Sequence, residues 1–460
     1  MVFTAAALNA LAILGSHEVW RKRNGDIGTA LSFDMTGDGK YVAQIVDVGL
    51  NSDGFNVYAL DGDGEWAVGD GFFVEEEEDQ NDDENNPIDI SMSQNGTHIA
   101  VLTQQIATGD AADNKVYYYR YDPTKTGTDE KWVLKSSAEV TNGASVVEIS
   151  DDGSTIVVGT PSFDVGGGET ENGKIEIFKV SEDGGTMTIA KTFEGAAESA
   201  LGASIGVSAD GTRIVVGAPN YDIPGETATA DAGAIQIITY NKKTPGESDK
   251  SEYKVGPSAE AKYGQDVGIT ADGGRIVVGV YHGDKDASKV DENQGYIEVL
   301  DLTALADFKF SYSRVGERLY GTEKMEGFGW YATISRDGMK VAGTSVEADG
   351  PDDLEDGIQT GGNGFATGAV RNGKVQVWLY QSDGWNAFTD VPAYGATGAT
   401  ELGNGIEIDD SGRRFATATI VPEKVQMWDV FHERDPLSDG AREAAAGLGI
   451  AAFGIAAMAL

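Results

Sequence analysis

Asp164, Asp222 and Asp284 recur at matching places along the chain, each just after an apolar run and each at the head of a long polar loop. Asp349 falls in a similar place further on. Carboxylates repeated in this way can form a ring on one rim of a fold, able to hold calcium or a basic or hydroxylated ligand. The same residues can also do less, because an Asp at a loop start caps its own loop by accepting nearby amides. A further pair, Asp34 and Asp38, sits in DMTGDG, a longer turn than the others and so the one turn with oxygens to offer a metal. Calcium is the single cofactor these residues suggest.

Other chemistries lack their residues. The four histidines, His17, His98, His282 and His432, are scattered without ligand spacing, and there is no cysteine for a thiolate site, a nucleophile or a disulfide. No Ser/His/Asp arrangement, glycine-rich phosphate loop or HExxH motif is present. Ser150-Asp151-Asp152-Gly153 approaches a sialidase Asp-box, but it is one residue short and lacks the following aromatic, so it reads as a hairpin turn. Seventy-five acidic against 34 basic side chains leave a net charge of −41, which excludes a phosphate backbone as partner. The run EEEEDQNDDE over residues 75–84 reads as a solvated loop, and Asn95-Gly96-Thr97 is a glycosylation sequon lying where a turn wants Asn-Gly anyway.

The loops that carry the carboxylates need a scaffold, and the sequence repeats one seven times. A short apolar run meets a tight polar turn and is answered by a second apolar run, with the turns closed by Gly39, Gly96, Gly153, Gly211, Gly273, Gly338 and Gly412. A repeat of this length with strand chemistry inside it marks a propeller or solenoid. Radial repetition also explains how 460 residues avoid splitting into separate cores.

Before each turn the apolar residues alternate, as in Val147 and Ile149 or Ile205 and Val207, which fits a strand with one buried face. After it they are continuous, as over residues 156–158 and 214–216, which fits a strand buried on both faces. A third strand follows in each copy, for example over 235–238 and 297–300, and a more polar fourth precedes the next copy. The expected fold is therefore all-β, a seven-bladed propeller of four-stranded antiparallel blades over residues 17–431. The seventh copy lacks its fourth strand, and residues 17–23 (HEVWRKR) stand where it would be, so the ring should be closed by this N-terminal strand.

Copies three to five resemble the FG-GAP repeat of integrin-α-type β-propellers. The matching pieces are Leu201-Gly202, Asp210-Gly211 and Val216-Gly217-Ala218-Pro219, with Val158-Gly159-Thr160-Pro161 in copy three. The resemblance covers about residues 28–430 and implies a seven-bladed propeller that binds a protein or glycan ligand. The chain departs from that family in its turns, since SADG, SDDG and TADG offer too few oxygens for the family's hairpin-bound calcium.

Residues 1–16 and the end of the 432–460 segment are apolar and read as short terminal helices, the second about 26 Å long over 444–460 by helical rise. That falls short of the roughly 30 Å bilayer core. Ring closure would bring both tails out of one blade, where they could insert in a membrane or join subunits into a homo- or hetero-oligomer. The expected function is a non-enzymatic binding or structural propeller, membrane-associated at a cell surface or extracellular, presenting an acidic loop face to a protein or glycan. The alternatives are a scaffold subunit of a large intracellular or filamentous complex, and a propeller hydrolase or lyase. The last would need titratable residues converging on the axis, and inner strands read as apolar do not supply them.

Overall fold

In the computed structural model the described residues run from 17 to 433, leaving aside 23–31, 47–53, 61–65, 74–84, 106–113, 126–130, 167–169, 224–229, 286–292, 349–353, 356–357, 360–371, 382–383, 390–391, 396–400 and 420–423. The expected terminal helices, the acidic run at 75–84 and Asp349 lie outside them. Seven antiparallel sheets are arranged as a β-propeller, and among the described residues there is no α-helix and no helix long and apolar enough to cross a membrane.

Each blade runs outward from a short inner strand. Blade three is the plainest: Val146–Ile149, Thr155–Thr160, Lys174–Val180 and Met187–Glu194 pair in sequence order. The inner strands of blades one to seven are Phe33–Met35, Asn85–Met92, Val146–Ile149, Ile205–Val207, Val267–Ile269, Ala332–Ile334 and Leu402–Ile408. In blades four to six the outer strand is broken into two short pieces, such as Phe310–Arg314 and Leu319–Tyr320 in blade five. In the seventh sheet Lys424–Glu433 pairs antiparallel with His17–Lys22, His17 facing Glu433 and Lys22 facing Trp428.

Hydrophobic burial falls between blades, in seven clusters, one for each junction of neighbours. The junction of blades seven and one holds Met35, Val42 and Tyr58 against Ala416, Val425 and Met427. Apolar residues of the inner and second strands fill these junctions, so each sheet is covered by its two neighbours and no central core is needed.

The turns between first and second strands repeat one hydrogen-bond pattern. Ser208 Oγ donates to Asp210 Oδ1 at 2.8 Å and accepts the Arg213 N–H at 3.0 Å, while Gly211 closes the turn at φ +63, a conformation that costs glycine little. Blade seven inverts the roles, Ser411 Oγ donating to Asp409 Oδ2 at 2.6 Å. From three of these turns an arginine reaches the turn glycine of the following blade: Arg213 to Gly273 O, Arg275 to Gly338 O, and Arg414 to Gly39 O at 2.6 Å. The last joins blade seven to blade one.

Candidate functional site

Counting back from the turn glycines shows what lines the axis. Five residues before each stands Asp34, Ser91, Glu148, Gly206, Gly268, Thr333 or Glu407. These occupy the inner strands between the residues that pack into blade junctions, so they face the channel. Two residues further back the same count reaches Ser32, Asp89, Asp266 and Tyr331. Five carboxyl groups, Asp34, Asp89, Glu148, Asp266 and Glu407, thus line one cavity of about 370 Å³ on the long-loop side of the channel. The expectation that the axis lacks titratable groups is overturned.

Several of these carboxyls tie one blade to the next. Asp34 Oδ2 accepts the Met92 N–H at 2.6 Å, Asp89 Oδ2 the Val147 N–H at 2.7 Å, and Asp266 Oδ2 the Ala332 N–H at 2.7 Å. Ser32 donates to Asp89 Oδ1 at 2.6 Å, and Ser91 Oγ lies 3.0 Å from Glu148 and 3.3 Å from Asp34 while accepting the Ile149 N–H. Tyr331 donates to Asn404 Oδ1 at 3.1 Å.

Burial dominates the titration of this wall. It pushes Asp34 and Asp266 up to about 7 and Asp89 to about 6, against the pull of the amide hydrogen bonds, which favour the charged form. Glu148 and Glu407 are raised well above the ordinary carboxylate range, by burial first and then by repulsion from Asp34 and other channel carboxyls. Burial of this wall therefore favours its protonated carboxyls near neutrality.

The turn side of the channel is built differently. Two residues before the turn glycines stand Gln94, Asp151, Arg336 and Asp410, lining a smaller cavity of about 160 Å³. The Arg336 guanidinium, from blade six, pairs with the Asp151 carboxylate of blade three. Its backbone N–H donates to Asp410 Oδ1 at 3.3 Å, and Asp151 Oδ1 accepts the Gln94 N–H at 3.1 Å. Blades three and six are not neighbours, so this ion pair bridges the axis at the turn face. The cavity lined by the five carboxyls lies at the opposite ends of the inner strands, the side from which each blade passes from its second to its third strand.

On that side the structure shows what Asp164, Asp222 and Asp284 do. Their Oδ1 atoms accept the N–H of Glu171 at 2.6 Å, of Asp231 at 2.6 Å and of Asn293 at 2.8 Å. Each closes its own loop, and each donor takes a positive φ. Asp34 and Asp38, which the sequence placed in one turn, part company: Asp34 faces the channel, while Asp38 pairs with Lys40 Nζ at 2.8 Å and accepts from Thr36. Among the described residues no three His, Asp or Glu side chains are grouped to hold a metal ion. Asp38 has both carboxylate oxygens engaged within its own turn, Oδ1 by Thr36 and the Lys40 N–H and Oδ2 by the Lys40 ammonium.

The chain is thus a seven-bladed β-propeller with a carboxyl-lined axial funnel. No family model matches it, and no curated protein does. Solved propellers resemble it in fold. A candidate 6-phosphogluconolactonase from Bacteroides uniformis is 10% identical, with a TM-score of 0.52 over 90% of this chain and 92% of that one. The periplasmic gluconolactonase of Pseudomonas aeruginosa is 12% identical, with a TM-score of 0.50 over 84% of this chain and 91% of that one. Likeness at such identities speaks for the fold alone.

Proposed function

We propose that this chain is a non-enzymatic binding propeller whose long-loop face takes a cationic or hydroxyl-rich segment of a protein or glycan into the axial funnel. One observation carries this reading: among the described residues, the axial cavity on that side is lined by five carboxyls and by no basic side chain. Such a mouth concentrates cations and offers acceptors to hydroxyls. Kinship with the FG-GAP repeat belongs to the same reading. It is supported by Leu201-Gly202, Tyr263-Gly264 and Phe328-Gly329, whose first residues make matching isolated bridges to Gly173, Gly233 and Gly295. Closure of the ring by the N-terminal strand is supported by the His17–Lys22 register and by the apolar junction of blades seven and one. Tethering or assembly through the apolar tails, at a membrane-associated cell-surface or extracellular location, completes the proposal.

The test is calorimetric titration of the full chain with spermine, and with a neutral oligosaccharide, at low and at physiological salt. Spermine should bind with proton release and weaken as salt rises, and Glu148→Gln with Glu407→Gln should weaken it further. Equal heats from wild type and the double variant would refute the reading. A second reading, a hydrolase or lyase, is favoured by channel carboxyls whose pKa values lie near neutrality, the range that suits a general acid. Turnover of a lactone or glycoside that disappears in Asp34→Asn would favour it over simple binding.

A further inference from the structure

In a chain with 75 acidic and 34 basic side chains, cations seldom gather. They do so on the outer flank of blade five. Glu298, 4% exposed on the third strand Tyr296–Ala304, accepts from Arg318 Nε at 3.0 Å and from the Tyr263 hydroxyl at 2.9 Å. Arg314 Nη1 lies 3.7 Å and Lys254 Nζ 3.8 Å from the same carboxylate. One negative charge faces three positive ones. Burial lowers the Lys254 pKa, as expected of an ammonium that Glu298 only partly compensates.

Beside this cluster runs a groove of about 640 Å³, lined by Arg314, Arg318, Lys285, Tyr320, Thr322 and Trp378 among others, with Glu317 its single carboxylate among the described residues. Arg318 lies over the Tyr296 ring at 4.5 Å and Lys285 over the Tyr320 ring at 5.7 Å. The side chain of Arg314 is half exposed, free to meet a ligand. Gln294 Oε1, at the groove wall, and the Tyr296 hydroxyl behind it are buried without a hydrogen-bond partner among the described residues. Unpaired buried polar atoms are costly, and a hydroxylated ligand within reach of Gln294 would satisfy one of them.

We infer that this groove binds a singly charged anionic saccharide: Arg314 and Arg318 take its carboxylate or sulfate, and the ring lies on Trp378 and Tyr320. Guanidinium forks match such anions in two-point geometry, and flat aromatic faces match the C–H side of a sugar ring. Among the described residues three lining cations against one lining carboxylate leave a modest surplus, and no helix N-terminus is at hand to hold a polyphosphate. The site is separate from the axial funnel in place and opposite to it in charge.

The experiment uses the full chain, with a tetrasaccharide bearing a single galacturonate as the carboxylate probe, a monosulfated disaccharide as the second arm and maltotetraose as the neutral control. Binding is read from Trp fluorescence and calorimetry, and spermine uptake by the funnel is followed in parallel so that the two sites fail separately. The anionic probes should bind and the neutral one should not, the stronger of the two anionic arms naming the group recognised. Arg314→Gln should weaken binding about tenfold and Lys285→Gln several-fold, with melting curves unchanged because both side chains lie at the surface of the groove. The inference is overturned if the anionic sugars bind no better than maltotetraose, or if both variants keep wild-type affinity.

Discussion

Asp266→Asn measures how dry the channel wall is. Asp266 stands at the head of the inner strand of blade five; Oδ1 accepts the Val267 N–H at 2.9 Å and Oδ2 accepts the Ala332 N–H of blade six at 2.7 Å. Burial raises its pKa from 3.8 to about 7. The folded chain therefore holds a proton that the unfolded chain has already released at intermediate pH. For a carboxyl with a raised folded pKa, stability is highest below the unfolded value and falls as pH climbs to the folded one. The difference between 3.8 and about 7 corresponds to about 4 kcal/mol, a ceiling because Asp266 is only partly buried by surface exposure. Asn cannot ionise, so this pH-dependent loss disappears. Its single oxygen serves only one of the two amides, which costs about 1–3 kcal/mol at every pH. Guanidinium unfolding followed by Trp fluorescence should thus find the variant weaker than wild type at about pH 4 to 5 and equal or stronger at about pH 8. A difference that does not change with pH would show an ordinary carboxylate in a wet channel and would refute the reasoning.

Two further changes probe the ring itself. Gly295 has φ +71, and a Cβ there would lie 2.0 Å from the Phe328 carbonyl oxygen, so Gly295→Ala should force blades five and six apart and cost about 3 kcal/mol or more in denaturant unfolding. A loss below about 1 kcal/mol would mean that this crossing is loose. Removing residues 1–22 takes away the strand paired with Lys424–Glu433 and leaves that edge bare. Size-exclusion chromatography should then show association or aggregation, whereas a monomer with an unchanged melting curve would refute closure by the N-terminal strand.

Much of the fold was legible because each blade writes the same local chemistry. The turn glycines, the alternating run before them and the continuous run after them identify first and second strands, and the third strands read at 235–238 and 297–300 lie within Ala234–Thr239 and Tyr296–Ala304. The outer strands were less legible: the fourth strand of blade two begins at Trp132 as its apolar start suggests, yet continues to Glu139 through residues with little pattern. The funnel was misread for a physical reason. The inner strands read as apolar from Val147 and Ile149, or from Ile406 and Ile408, whereas the polar residues alternating with them line the channel. The signal was present in the column five residues before each turn glycine, where Asp34, Ser91, Glu148, Thr333 and Glu407 align.

By itself the amino-acid sequence determined the number of blades, the strand order within them and the place of every tight turn, since these depend on contacts among residues a few positions apart. Tertiary structure alone decided that carboxyls from five different blades share one cavity, that Arg336 reaches across to Asp151, and that Arg314 and Arg318 crowd one buried Glu298. Charges separated by tens to hundreds of residues interact only once closure of the circle brings them within a few ångströms, and that proximity has no trace in local pattern.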